Sequence, residues 1–184
     1  MTDAVPESAP LDYRLLVPRD WFRIDLMQER WRSRLKVFVD RACSGSRTSP
    51  EAARTMWITL RNTAERGVAR GALEFFLRTE APESALAPAS LLISWPPLPR
   101  GQAPTPEQFA GVLDGRAGPE AKVCVVDLPA GRTVYVCTET TLDYHVRMPG
   151  GAGFLHLAFS MPLSGTRGSM GNLCDAIAHS LRWI

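Results

Sequence analysis

Apolar residues recur at helical spacing in two stretches of the first third of the chain. In the first stretch, Asp25 and Gln28 have the spacing of a capping box, so we expect a helix to begin at Asp25. In the second, Ser49 and Pro50 form a typical helix start and Gly71 is a suitable stop. The apolar stripes are Met27, Trp31, Leu35, Phe38, Val39 and Ala42 in the first helix, and Ala53, Met56, Trp57, Leu60, Ala64 and Val68 in the second. One face of each helix is therefore predicted to be packed and the other to contact water.

Most of the remaining chain alternates between apolar and polar residues with a period of two, which indicates strands. A short helix is expected over 105–115, and a last helix over 170–183. Glycine-containing turns at 129–132 and 149–152 predict two hairpins. The predicted strands are residues 15–17, 21–24, 72–78, 89–95, 122–128, 133–138, 142–148 and 153–160. This order of elements predicts an α+β fold, in which helices flank an antiparallel sheet.

Composition favours one globular domain. A chain of 184 residues that is 45% apolar has enough side chains for one sizeable core, so residues 11–184 are predicted to form a single domain behind a disordered tail at 1–10. The formal net charge of +2 is too small for a general affinity for nucleic acid or anionic membranes. Because the chain has neither a signal peptide nor an apolar run long enough to span a bilayer, we expect a cytoplasmic protein.

The four cysteines are spaced irregularly along the chain: Cys43, Cys124, Cys137 and Cys174. Without an export signal, four cysteines at irregular spacing predict buried free thiols. If Ala130 and Gly131 form the turn of the first hairpin, Cys124 lies directly opposite Cys137, and a cross-strand disulfide is the alternative to reduced packing. Reduced packing is the favoured interpretation in a cytosolic setting.

The second hairpin brings the most chemically interesting side chains together. His145 and His156 are symmetric about Gly150–Gly151, and Asp143 shares a strand face with His145. Two imidazoles and a carboxylate could bind a divalent metal or exchange protons. The favoured interpretation is structural, because the alternate residues of both strands are apolar and leave the histidines on the polar face.

The proline-rich connection after residue 95 is the predicted binding segment. Proline is already restricted in conformation, so the 96–104 stretch can present Trp95 and Leu98 on a loop rim at low entropic cost. The competing interpretation is that these prolines only end a strand.

The two ends of the chain resemble the PsbP-like superfamily. The opening segment, Tyr13 to Trp21, follows its "Y-x-L-x-V-P-x-x-W" strand, and Phe159 to Trp183 follow its closing strand, proline and helix that ends in "S-L-R/K-W". The superfamily includes a photosystem extrinsic protein, a Ran-binding nuclear import factor and LpqN-type lipoproteins, so the resemblance implies a PsbP-like α/β sandwich that binds proteins or cofactors. The chain also resembles cytoplasmic proteins of actinomycetes such as streptomycetes, some of which are loosely associated with type VII secretion loci.

These observations predict a non-enzymatic protein-binding or accessory protein with a link to secretion. The sequence contains no recognisable nucleophile motif, phosphate loop or zinc-type cysteine and histidine spacing, so no catalytic residue and no cofactor is assigned. A protein partner is expected, and no nucleic acid or membrane span. The alternative is a small metal-dependent enzyme or metal-binding module that uses Asp143, His145 and His156.

Overall fold

The computed structural model describes residues 12–44, 48–79, 87–97 and 103–184. The predicted tail at 1–10 and Leu98 lie outside these ranges. The strands are β1 (Tyr13–Arg14), β2 (Phe22–Asp25), β3 (Ala72–Arg78), β4 (Ala89–Ser94), β5 (Lys122–Leu128), β6 (Gly131–Cys137), β7 (Thr141–Arg147), β8 (Phe154–Ser160) and β9 (Arg182–Trp183). The helices are α1 (Trp31–Ser44), α2 (Pro50–Val68), α3 (Pro106–Asp114) and α4 (Ser169–His179).

Within these ranges an antiparallel sheet runs in the order β2-β3-β4-β8-β7-β6-β5. The predicted α+β fold class, with helices on an antiparallel sheet, is confirmed. No helix in the described ranges has the length and hydropathy needed to cross a membrane.

Each face of the sheet has its own apolar cluster. On one face α1 and α2 pack on β2 and β3, through side chains that include Leu35, Met56 and Phe75. On the other face α4 packs on the middle of the sheet, through Ile177 and Leu157 among others. A short antiparallel ribbon of β1 and β9 joins this second face, because its side chains pack on the same cluster as those of α4. The segments at the two ends of the chain therefore cover one shared sheet face.

The first helix begins six residues later than the sequence predicts. Asp25 is the last residue of β2, and its carboxylate accepts hydrogen bonds from the backbone amide of Met27 (2.9 Å) and the side-chain amide of Gln28 (3.0 Å). The capping-box pattern is thus satisfied in a turn rather than at a helix start. Met27 is 72% exposed and is not part of the apolar stripe, whereas Trp31 is 5% exposed and begins α1.

The last helix is shorter than predicted. It ends at His179, and Arg182 and Trp183 then form β9 against β1, with Trp183 opposite Tyr13. The opening strand is correspondingly Tyr13–Arg14 rather than 15–17. The indole nitrogen of Trp183 donates a hydrogen bond of 2.6 Å to the carbonyl of Ala130. The chain ends are therefore held by backbone pairing and one tryptophan contact, which a helical pattern alone does not reveal.

The second and third helices begin where their signals predict. The Ser49 hydroxyl accepts from the amide of Ala52 at 3.2 Å, and Thr105 forms a full capping box with Gln108. Gly71 follows α2 with φ of 86°, a conformation that L side chains rarely adopt. A Cβ atom there would lie 2.4 Å from the carbonyl oxygen of Trp95, so the glycine is also needed for close packing.

The two hairpins differ in how well the sequence predicts their register. His145 lies opposite His156, as expected. In the first hairpin, however, Cys124 lies opposite Tyr135 and Cys137 opposite Lys122, so the predicted cysteine pair is wrong. Leu128 pairs with Gly131, which makes Pro129 and Ala130 the turn. When the turn moves by one residue, each residue of the first strand pairs with a residue two positions away from the expected partner. Each side chain therefore stays on the same face of the sheet, but its cross-strand neighbour changes.

None of the four cysteines forms a disulfide, as predicted, but only Cys174 is buried, whereas Cys43, Cys124 and Cys137 are half-buried. Cys124 and Cys137 share a strand face but are diagonal rather than direct neighbours. Diagonal pairs are about 7–8 Å apart, beyond the usual Cα span of a disulfide of roughly 4.4–6.8 Å. The cross-strand disulfide is therefore not favoured by the register.

Replacing Trp31 tests the core between α1 and the sheet. Trp31 is 5% exposed, so Trp31→Ala leaves a cavity, and we expect the free energy of unfolding to fall by about 3–5 kcal/mol. Trp57 is only half-buried, so Trp57→Ala is expected to cost less, about 1–2 kcal/mol. Urea denaturation measures both. A loss below about 1 kcal/mol for Trp31→Ala would mean that this side chain is not a core residue.

Candidate functional site

Among the described residues, the helix layer on one face of the sheet has a gap at its centre. Leu92 belongs to the cluster under α1 and α2, and the paired residues Ser94, His156 and His145 continue that face toward α3. There Phe109 of α3 contacts the ring of His145, so α2 and α3 lie on the same side. β4, β8 and β7 run between them. We call this gap, walled by α2 and α3 and floored by these three strands, the central trough.

The width of the central trough follows from the strand order. α2 packs on β3 and α3 on β5 and β6, and β3 is separated from β6 by four strand spacings. At about 4.8 Å per spacing this is roughly 19 Å. Packed helices lie about 8–10 Å apart, so a distance of this size is two helix spacings. The described part of the helix layer is therefore spaced widely enough for one more helix between α2 and α3.

Apart from Leu92, small or polar side chains form the floor of the central trough. The members are Ser90, Leu92 and Ser94 on β4, His156, Ala158 and Ser160 on β8, and Thr141, Asp143 and His145 on β7. All of them except Ser94 keep part of their surface exposed, although their strands are the middle ones of the sheet. The large residues of the same strands, such as Leu157 and Phe159, point to the opposite face. The floor therefore lets an incoming element approach the sheet closely.

Two adjoining cavities follow α2 along the central trough. The first has a volume of about 610 Å³ and the second about 590 Å³, and Thr63 lines both. The α2 wall is a stripe at helical spacing: Ala52, Thr55, Thr59, Thr63, Arg66 and Arg70. From residue 52 to residue 70 this wall is about 27 Å long at the rise of an α-helix.

A hydrogen-bonded aspartate and histidine lie on the floor. His156 Nε2 is 2.8 Å from Asp143 Oδ1, and the two side chains are 25% and 27% exposed. The ring of His145 stacks on that of His156, with ring centroids 4.1 Å apart. Phe109 contacts the ring of His145 edge-on, at a centroid distance of 5.1 Å. Burial, together with the neighbouring His156, lowers the pKa of His145 to about 3. His145 is therefore neutral at physiological pH.

This geometry does not resemble a metal site. The lone pairs of an imidazole lie in the ring plane, so two rings stacked at an interplanar angle of 13° do not direct them to one point. Across the described ranges, no group of three or more histidine, cysteine, aspartate and glutamate residues is placed to hold a metal ion. The structure thus brings Asp143, His145 and His156 together, but as a stacked and hydrogen-bonded cluster.

The predicted binding segment borders the central trough. Trp95 is half-buried and packs on the cluster of the opposite sheet face, so its indole is not presented on a loop rim in this arrangement. Pro96 and Pro97 line the second cavity. A binding role for Trp95 and Leu98 stays a prediction.

Sequence reasoning missed the wall of the central trough. Threonines at positions 55, 59 and 63 fall at i, i+4 and i+8, opposite the charged side of α2, and they were the available signal. Small residues at alternate positions of β4 and β8 were a second signal. Both are weak, because small polar residues also occur on ordinary solvent-exposed faces.

Comparison of the chain with protein-family models, curated proteins and solved structures returned no match. The resemblance to PsbP-like proteins and the link to secretion therefore stay predictions. The shape and lining of the central trough are the main support for a function.

The low pKa of His145 predicts an acid-dependent loss of stability. The pKa of an unfolded histidine is about 6.5, so below this pH the unfolded chain binds a proton that the folded chain does not. The free energy of unfolding should therefore fall as the pH is lowered from about 6.5 toward about 4, with up to about 1.4 kcal/mol per pH unit from this residue.

Denaturation at several pH values checks this prediction. His145→Phe keeps an aromatic ring between Phe109 and His156 but cannot titrate, so its stability should fall less steeply than that of the unchanged protein. His179→Phe is the control, because His179 is exposed near the end of α4. Parallel curves for the unchanged protein and His145→Phe would contradict a buried neutral His145.

Proposed function

We propose that the protein is a non-enzymatic binding protein that holds a segment of another protein in its central trough. The observation that carries this proposal is the gap of one helix width over the middle of the sheet, floored by small side chains. An antiparallel sheet can leave a polar face in contact with water, but here the gap lies between two helices that pack on the same face. A segment from a partner would complete the layer and remove its exposed surface from water.

The form of the central trough favours a polypeptide over a small molecule. Sites for small ligands enclose most of the ligand surface. Here Thr55 and Thr59 on the wall are exposed, and the two cavities adjoin end to end along α2. Such an elongated, open groove is typical of sites that bind a helix along its length.

The chain ends add a narrower expectation to this proposal. Their resemblance to PsbP-like proteins agrees with a binding role, and we infer a cytoplasmic accessory protein that serves a secretion pathway. Pro96 and Pro97 line the second cavity, which supports a contact of these two residues with the bound segment. The balanced charge of the chain also favours a protein partner over nucleic acid.

Blocking the central trough tests the proposed function. Thr59 is exposed on the wall of the first cavity, so Thr59→Trp places an indole where the partner segment would lie without disturbing the core. We expect affinity for the native partner, identified by a pull-down from the host, to fall by at least about tenfold.

Arg54→Trp is the matched control. Arg54 is exposed on α2 but does not line either cavity, so the same side chain there should leave affinity unchanged. Unfolding midpoints should agree among the three proteins. Equal capture of the partner by Thr59→Trp and by the unchanged protein would rule out the central trough as the binding site.

A further inference from the structure

The two ends of the central trough differ in charge. Among the described residues, those that line the first cavity are uncharged, and Met56, Leu60 and Phe75 are the large apolar ones. The described residues that line the second cavity include Arg66, Arg70 and His156 and no aspartate or glutamate. The nearest carboxylate on the floor, Asp143, is hydrogen-bonded to His156. One end of the groove is therefore apolar and the other is cationic.

The two arginines are not committed to ion pairs within the described residues. Arg66 donates from Nε to the backbone carbonyl of Asn62 at 3.2 Å, and Arg70 makes no side-chain hydrogen bond there. Other arginines are paired: Arg32 of α1 with Glu65 at 3.0 Å and, on the opposite face of the sheet, Arg78 with Asp20 at 2.8 Å. Both arginines lie near the carboxyl end of α2, where the helix dipole favours a positive charge but does not neutralise it. Their charge is therefore available to a partner.

The spacing of these features fits a helix. Met56 and Arg66 are ten residues apart on α2, which is about 15 Å along its axis. A second helix that lies beside α2 has the same rise per residue. Its side chains that contact Met56 and those that contact Arg66 would therefore be about ten residues apart in its own sequence. The serine and alanine floor allows such a helix to approach the sheet.

We propose that the central trough binds an amphipathic α-helix of a partner protein, apolar at one end and acidic at the other. The proposal rests on the function proposed above and specifies the partner segment. Apolar side chains of that helix fill the space over Met56, Leu60 and Phe75. Its acidic side chains, about ten residues away, pair with Arg66 and Arg70. The opposite orientation would place carboxylates over an apolar cavity, which costs free energy.

An unbiased selection of ligands tests this proposal. The probe is a displayed library of helical peptides of about 18 residues, the length of the α2 wall, with the side chains of one face randomised. Selection on the unchanged protein is expected to enrich peptides with large apolar residues at one end and aspartate or glutamate about ten residues away. Enriched peptides are then synthesised and their Kd is measured by fluorescence anisotropy.

Charge reversal identifies the contacts. For an enriched peptide we expect Arg66→Glu together with Arg70→Glu to raise the Kd by at least about tenfold, and added salt to reduce the difference. Arg54→Glu on the opposite side of α2 is the matched control and should have less than about a twofold effect. A peptide with lysine in place of its acidic residues should recover affinity for the double variant.

The possible outcomes separate the two proposals. Peptides that Thr59→Trp blocks, but that show no acidic preference and do not respond to charge reversal, would overturn the charge assignment and leave the proposed function intact. If the library yields only peptides that Thr59→Trp does not affect, or no binders, both proposals are wrong. Peptides that respond to Thr59→Trp and to charge reversal support both.

Discussion

The alternation of large and small side chains along the β7–β8 hairpin is the constraint on which the structure depends. Leu155, Leu157 and Phe159 point to the face of α4, while His156, Ala158 and Ser160 point to the face of α2. Gly150 and Gly151, with φ of 69° and 71°, allow the turn that fixes this register. A slip of one residue would exchange the faces of a strand. The helices on each side can therefore pack in only one arrangement.

This alternation also explains why the central trough persists in the fold. The face toward α4 buries the large apolar residues and provides much of the burial that stabilises the middle of the sheet. The opposite face is left with short or polar side chains. Asp143, His156 and His145 satisfy one another by a hydrogen bond and a stacking contact, so their partial burial costs less than that of isolated polar groups. The trough can therefore remain uncovered in the unbound protein.

Strong local signals could be predicted from the sequence, and features that depend on tertiary packing could not. Ser49–Pro50 and Gly71 mark α2 correctly, and the Gly150–Gly151 turn gives the right register for His145 and His156. Asp25 and Gln28 were misleading, because the same capping spacing also closes a turn. The cysteine register failed because Pro129–Ala130 and Ala130–Gly131 are both acceptable turns. The trough itself was missed, because its signals, the threonine stripe of α2 and the small residues of β4 and β8, are also found on ordinary solvent-exposed faces. The PsbP-like assignment and the binding roles of Trp95 and Leu98 stay predictions.

A crystal structure of the protein with a selected peptide tests the central claim most directly. We predict one helix lying between α2 and α3, close to Ser90 and Ser160, with its acidic end at Arg66 and Arg70. The sheet and the stacked histidines should keep their positions, because the trough is already formed. A peptide bound on the face of α4, or bound in an extended form at a sheet edge, would contradict the account.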